Sequence, residues 1–128
     1  MTKEFIPYEQ ALELKELGFD EPCFGFFNYK GEIRRYTNFD GELNDFQTLK
    51  NSDITLGELS FCTAPTYSQA FRWFREKYPD FDFGVGKIYN GSNTYHYHIN
   101  LIWEYFEGTY EEAELACLIK LIEICKNK

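Results

Sequence analysis

Two histidines, His96 and His98, are the only ones in the chain, and they stand two residues apart. On a strand, residues i and i+2 project to the same side, so two neutral imidazoles can face one ion. A metal site needs a third or fourth ligand, and no neighbour in sequence supplies it. Two histidines on a polar sheet face are otherwise solvated side chains. The other residues with binding chemistry cluster around Trp73. Tyr67, Ala70, Phe71, Phe74 and Tyr78 form one apolar stripe at helical spacing, and Trp73 falls well off it. It shares that side with Gln69, Glu76 and Lys77, while Arg72 and Arg75 flank it. Tryptophan and arginine are favoured anchors of protein interfaces. If Trp73 is exposed, the expected binding surface is Gln69, Arg72, Trp73, Arg75 and Lys77; otherwise Trp73 packs against a neighbouring element.

Other local patterns carry less. Gly84-Val-Gly86-Lys87 has neither the spacing of a phosphate loop nor a following helix. The glutamates at 104, 107, 111, 112 and 114, with no Lys or Arg among them, fit the first turn of a helix and its dipole better than a carboxylate site. No Gly-x-Ser-x-Gly or His-Glu-x-x-His pattern occurs, so no catalytic residues are assigned, although catalytic groups can converge from distant positions. Cys23, Cys62, Cys117 and Cys125 include no Cys-x-x-Cys pair, and are expected as small buried apolar residues with free thiols.

The elements that must position these residues are legible from periodicity and punctuation. Helices are expected over 7–17, 66–78 and 110–126. Pro7 suits a first helical position and Gly18 a stop. Thr66 with Gln69, and Thr109 with Glu112, have the spacing of a capping box. Strands are expected over 23–29 and 32–37, around the turn Lys30-Gly31, and over 81–89. A last strand is expected over 94–103, with Tyr95, Tyr97, Ile99, Leu101 and Trp103 on one face and Thr94, His96, His98 and Asn100 on the other. The polar stretch 38–57 has weak apolar signals only near Phe46 and Ile54, and reads as a long loop. The sum is one α+β domain over residues 1–128. Its order is α-β-β-α-β-β-α, with an antiparallel sheet of about four strands and three helices mainly on one face. The third helix is apolar nearly all round. That implies either sandwiching by neighbours or a homo-oligomer contact through it.

Composition sets outer bounds. The chain has 128 residues, a net charge of −8 and 20% aromatics. That charge disfavours direct nucleic-acid binding through phosphates and attachment to anionic membranes. No apolar run is long enough to span a bilayer, and the first residues lack the layout of a signal peptide, so a cytoplasmic location is expected.

Three blocks, residues 5–23, 64–78 and 109–124, together resemble a group of small uncharacterised proteins of bacteriophages and mobile elements of gut bacteria. The resemblance covers less than half of the chain and leaves out 29–62. It implies an accessory protein of phage or mobile-element origin and assigns no chemistry. The leading expectation is a non-catalytic module that binds a host or phage protein, without a cofactor. The alternatives are a small-ligand or nucleotide binder that stacks rings, and a metal-dependent enzyme using His96 and His98.

Overall fold

A computed structural model describes residues 4–28, 30–35, 50–53, 62–87 and 94–127. The elements are α1 (Tyr8–Glu16), β1 (Gly25–Phe27), β2 (Ile33–Arg35), β3 (Cys62–Thr63), α2 (Tyr67–Lys77), β4 (Phe83–Lys87), β5 (Thr94–Ile99), β6 (Ile102–Glu107) and α3 (Tyr110–Lys126). The class is α+β, and the expected order of helices and hairpins is present. The strands gather into two antiparallel sheets of three, β2-β1-β3 and β4-β5-β6, where the sequence suggested one of about four. The chain divides into two compact units, residues 1–70 and 71–128.

In the first unit, α1 ends in a Schellman motif. Gly18 takes φ 101°, the Phe19 N–H donates to the Leu14 carbonyl at 2.9 Å, and the Gly18 N–H donates to the Lys15 carbonyl at 3.1 Å. Phe19 and Leu14 are both fully buried, so the turn that stops the helix also supplies core. β1 pairs with β2 on one side and with the two-residue β3 on the other. Of the polar stretch 38–57, residues 50–53 are described; Phe46 and Ile54 lie outside the described residues. Within it Asn51 opens a 3-10 turn and is buried. Its Nδ2 donates to the Phe19 carbonyl at 2.7 Å, and its Oδ1 accepts from the Thr63 N–H at 2.9 Å. One side chain thus ties the end of α1 to β3 and satisfies two buried backbone groups.

The first expected capping box forms in full at the start of α2, and the second is present at α3 as the threonine cap alone, the Thr109 hydroxyl itself donating to Glu112 Oε1 at 3.2 Å. Thr66 Oγ1 accepts from the Gln69 N–H at 3.2 Å, and Gln69 Oε1 accepts from the Thr66 N–H at 2.9 Å. Thr109 Oγ1 accepts from the Glu112 N–H at 3.2 Å.

In the second unit α3 packs on β4 and β5. It buries Ala113, Cys117, Leu118, Leu121, Ile122 and Cys125. Of the residues that make this helix apolar nearly all round, Ile119 stays outside the buried sector and is exposed. The expected strand 94–103 is instead a hairpin. β5 stops at Ile99, Asn100 takes φ 54°, and β6 starts at Ile102. Asparagine tolerates this left-handed geometry, and its side chain is used as well. Asn100 Oδ1 accepts from the Asp82 N–H at 2.9 Å, and the Asn100 N–H donates to the Asp82 carbonyl at 2.6 Å. Leu101 sits at the tip and is 94% exposed, not on the apolar face that alternation assigned to it.

Candidate functional site

The hairpin decides which side chains share a face. Ile99 pairs with Ile102, Tyr97 with Glu104 and His98 with Trp103. Partners directly opposite in an antiparallel pair lie on the same side of the sheet. The face under α3 carries Phe83, Tyr97 and Ile99, all buried. Desolvation holds the Tyr97 hydroxyl above its ordinary pKa there. The opposite face carries His96, His98, Trp103 and Tyr105, with Gly84 and Gly86 on the neighbouring strand. Trp103, grouped with Tyr97 by simple alternation, thus belongs to the histidine face.

That face is layered. An ideal Cβ on Gly84 would stand 3.1 Å from His98 Cε1, and one on Gly86 would stand 2.9 Å from His96 Cε1. The imidazoles therefore lie over bare backbone that any other residue would obstruct. This is the role of the Gly-Val-Gly sequence. The imidazole planes are 22° apart, with centroids 6.3 Å apart. The Trp103 indole stacks on both, at 4.6 Å and 23° from His98 and at 5.2 Å and 28° from His96. Such offset stacking is favourable for π systems. Trp103 nevertheless remains 51% exposed and Tyr105 67% exposed. His98 Nε2 stands 3.7 Å from the exposed Asp82 carboxylate, and its Nδ1 is buried with no hydrogen-bond partner among the described residues.

This arrangement holds an indole in a fixed pose with much of its surface open. Its histidines are engaged in ring stacking. Among the described residues no group of three or more His, Cys, Asp or Glu is placed to hold a metal, so His96 and His98 find no third ligand there.

The α2 residues singled out from sequence are placed differently. Trp73 is only 7% exposed, so the condition for its use as a surface anchor is not met. Its ring packs edge-on against Phe74 at 5.0 Å and against Tyr78 at 6.3 Å, and the Lys77 ammonium lies 4.8 Å over it. An indole is long enough to reach along the helix surface to a neighbouring ring, which a wheel of Cβ directions does not register. Gln69 is half-buried and structural, serving the capping box and donating to the Pro22 carbonyl at 2.9 Å. Arg72, Arg75 and Lys77 are exposed. The Arg75 guanidinium lies 4.8 Å over the Phe83 ring, beside a shallow cleft of about 180 Å³ lined by Phe71, Phe83, Gly84, Val85 and Tyr110.

All four cysteines are buried and free. Burial pushes the Cys23 thiol up to about 11, and those of Cys62 and Cys117 to about 12. Thiols held protonated in this way are poor nucleophiles. No helix among the described residues is long and apolar enough to cross a membrane.

Comparison with protein-family models, with curated proteins and with solved structures produced no match for this chain. Trp103, Tyr105 and the two glycines are the site residues that sequence reasoning missed. The signal that would have found them is Asn100: read as a turn, it moves Trp103 to the histidine face.

Proposed function

We propose that the chain is a non-catalytic binding module that recognises a host or phage protein through the His96–His98–Trp103–Tyr105 face of its second sheet. The observation that carries this reading is the half-open indole of Trp103, stacked on two imidazoles that are themselves seated over Gly84 and Gly86. A pre-positioned aromatic side chain loses little conformational freedom on binding, which is why tryptophan and tyrosine dominate interface hot spots. The likeness of three sequence blocks to small proteins of phages and mobile elements supports an accessory role of that origin, acting in the cytoplasm of the host.

The test is affinity purification from host lysate with mass spectrometry, followed by binding measurements on the partner recovered. Trp103→Ala should weaken that complex by about 30-fold or more, the size of a hot-spot loss of ~2 kcal/mol. Arg72→Ala should leave it unchanged. The reverse pattern would place the contact on α2 and sink this reading.

A second reading, a small-ligand or nucleotide binder, is favoured by the cleft of about 180 Å³ beside Arg75. It expects a rise in unfolding temperature with a nucleotide panel, because a ligand of the native state alone shifts unfolding.

A further inference from the structure

β6 is an edge of its sheet, and no described strand pairs with its outer side. Which of its peptide groups face outward follows from the hairpin. A two-residue loop makes its flanking residues, Ile99 and Ile102, a hydrogen-bonded pair, and the pattern alternates from there. The Asn100–Asp82 backbone bond on the other side of β5 agrees, since it directs the peptide groups of His98 and His96 toward β4. Ile102 and Glu104 therefore bond inward to β5, while Trp103, Tyr105 and Glu107 present N–H and C=O to the free edge. The residues with outward peptide groups are thus the two exposed aromatics and a glutamate.

The charge around this edge has one sign. Glu104 and Glu107 on β6 are exposed, as is Asp82 beside His98. The sequence has no Lys or Arg between Lys87 and Lys120. A second copy of the chain, with its net charge of −8, would bring these carboxylates together, and such charges are the usual guard against edge-to-edge pairing. Among the described residues of β4, β5 and β6, none on this face is a Lys or Arg that could meet the phosphates of a nucleic acid.

We infer that the partner docks as an extended, basic protein segment that adds a strand to the outer edge of β6 and lays its cationic side chains over Trp103 and Tyr105. The inference rests on the reading of this face as the contact surface. Main-chain bonds to Trp103, Tyr105 and Glu107 supply the pairing. Alternate side chains of the guest then project onto the aromatic face, where a guanidinium or ammonium meets the indole and phenol rings. The Glu107 carboxylate, on the same face as Trp103 and Tyr105, selects for positive charge there, and Glu104 on the other face adds to the longer-range attraction that speeds encounter.

The probe is a capped ten-residue peptide alternating arginine and valine, titrated into the full chain while tryptophan emission and amide exchange are followed. The result expected is saturable binding, with the amides of Trp103 and Tyr105 protected tenfold or more. Trp103→Ala, and separately Glu107→Lys, should each weaken binding at least tenfold. A matched peptide with glutamate in place of arginine should not bind. Equal binding by the glutamate peptide, or by an arginine peptide with proline at alternate positions, overturns the inference, because charge or strand pairing is then not used. Self-association abolished by Trp103→Ala also overturns it, with a second copy as the occupant. If the arginine peptide fails while Trp103→Ala still loses the partner recovered from lysate, the inference falls and the contact face stands. If Trp103→Ala keeps that partner, the contact face falls too.

Discussion

The two three-stranded sheets are built on opposite plans. β2-β1-β3 has strands of three, three and two residues, and much of its order comes from side chains bonding to backbone. Asn51 joins Phe19 to Thr63, Asp20 accepts from the Ser52 N–H at 2.6 Å, and Asn28 Oδ1 accepts from the N–H groups of Lys30 and Glu32. β4-β5-β6 has strands of five, six and six residues, and its order comes from rings and apolar packing. Phe83, Tyr97 and Ile99 lie under α3, and His96, His98 and Trp103 stack on the other face. A short sheet cannot bury enough apolar surface on its own, so polar ties with definite geometry fix it. A longer hairpin with one covered face can leave its other face open for contact.

The largest test of that contrast is Asn51→Ala. It strips a partner from two buried backbone groups, and each such loss costs roughly 1–3 kcal/mol, so a fall of about 3 kcal/mol in denaturant stability is expected. Asn51→Asp keeps the acceptor for Thr63 and should fall between the two. Next is Gly86→Val, which thrusts a side chain into the His96 ring; overpacking of this kind costs ~2 kcal/mol and should shift Trp103 emission as the stack opens. Gly84→Ala should do less, since its contact is slightly longer. Thr109→Ala removes the α3 cap and should cost about 1 kcal/mol, read from the urea midpoint. The smallest effect per residue is that of the thiols. Their folded pKa values are raised above the ordinary 9, so the stability they carry is intact below pH 9 and is lost as pH climbs through 9 toward the folded values. At pH 9 this amounts to roughly 0.4 kcal/mol for each thiol, and a thiol reagent at neutral pH should report no free cysteine until the chain unfolds.

Much of the fold was legible because it is announced locally. Gly18, Thr66 and Thr109 mark helix ends through chemistry that acts within four residues, and α3 spans Tyr110–Lys126 as periodicity indicated, whereas Pro7 is extended (ψ 156°) at the N-cap, one place before the first helical position expected for it. What was not legible depends on distant partners. β3 is two residues long and exists because Phe26 and Phe27 pair with it. Trp73 is buried by where its ring lies, not by where its Cβ points. The candidate site was half legible. His96 and His98 were correctly placed together on one face, but Trp103 was assigned to the other. The alternation from Tyr95 runs on through Asn100 and Leu101 and breaks only at Ile102, beyond the turn, so polarity up to the tip gave no sign of a reversal. The glycines opposite the histidines looked like a failed loop motif because their use is steric and lies on another strand.

The length of the Asn100-Leu101 loop has a consequence beyond the loop. Each residue of β6 meets a partner whose number, added to its own, gives the same total, so odd positions of β6 lie beside even positions of β5. Inserting a single residue at this tip without a compensating bulge would invert that parity. The indole and phenol would then turn inward and Glu104 outward, exchanging the interior and exterior of an entire strand while every amino acid in it stayed the same. Variation in this hairpin should therefore appear as substitution at Leu101, whose side chain touches solvent, and not as a change in the number of residues between Ile99 and Ile102.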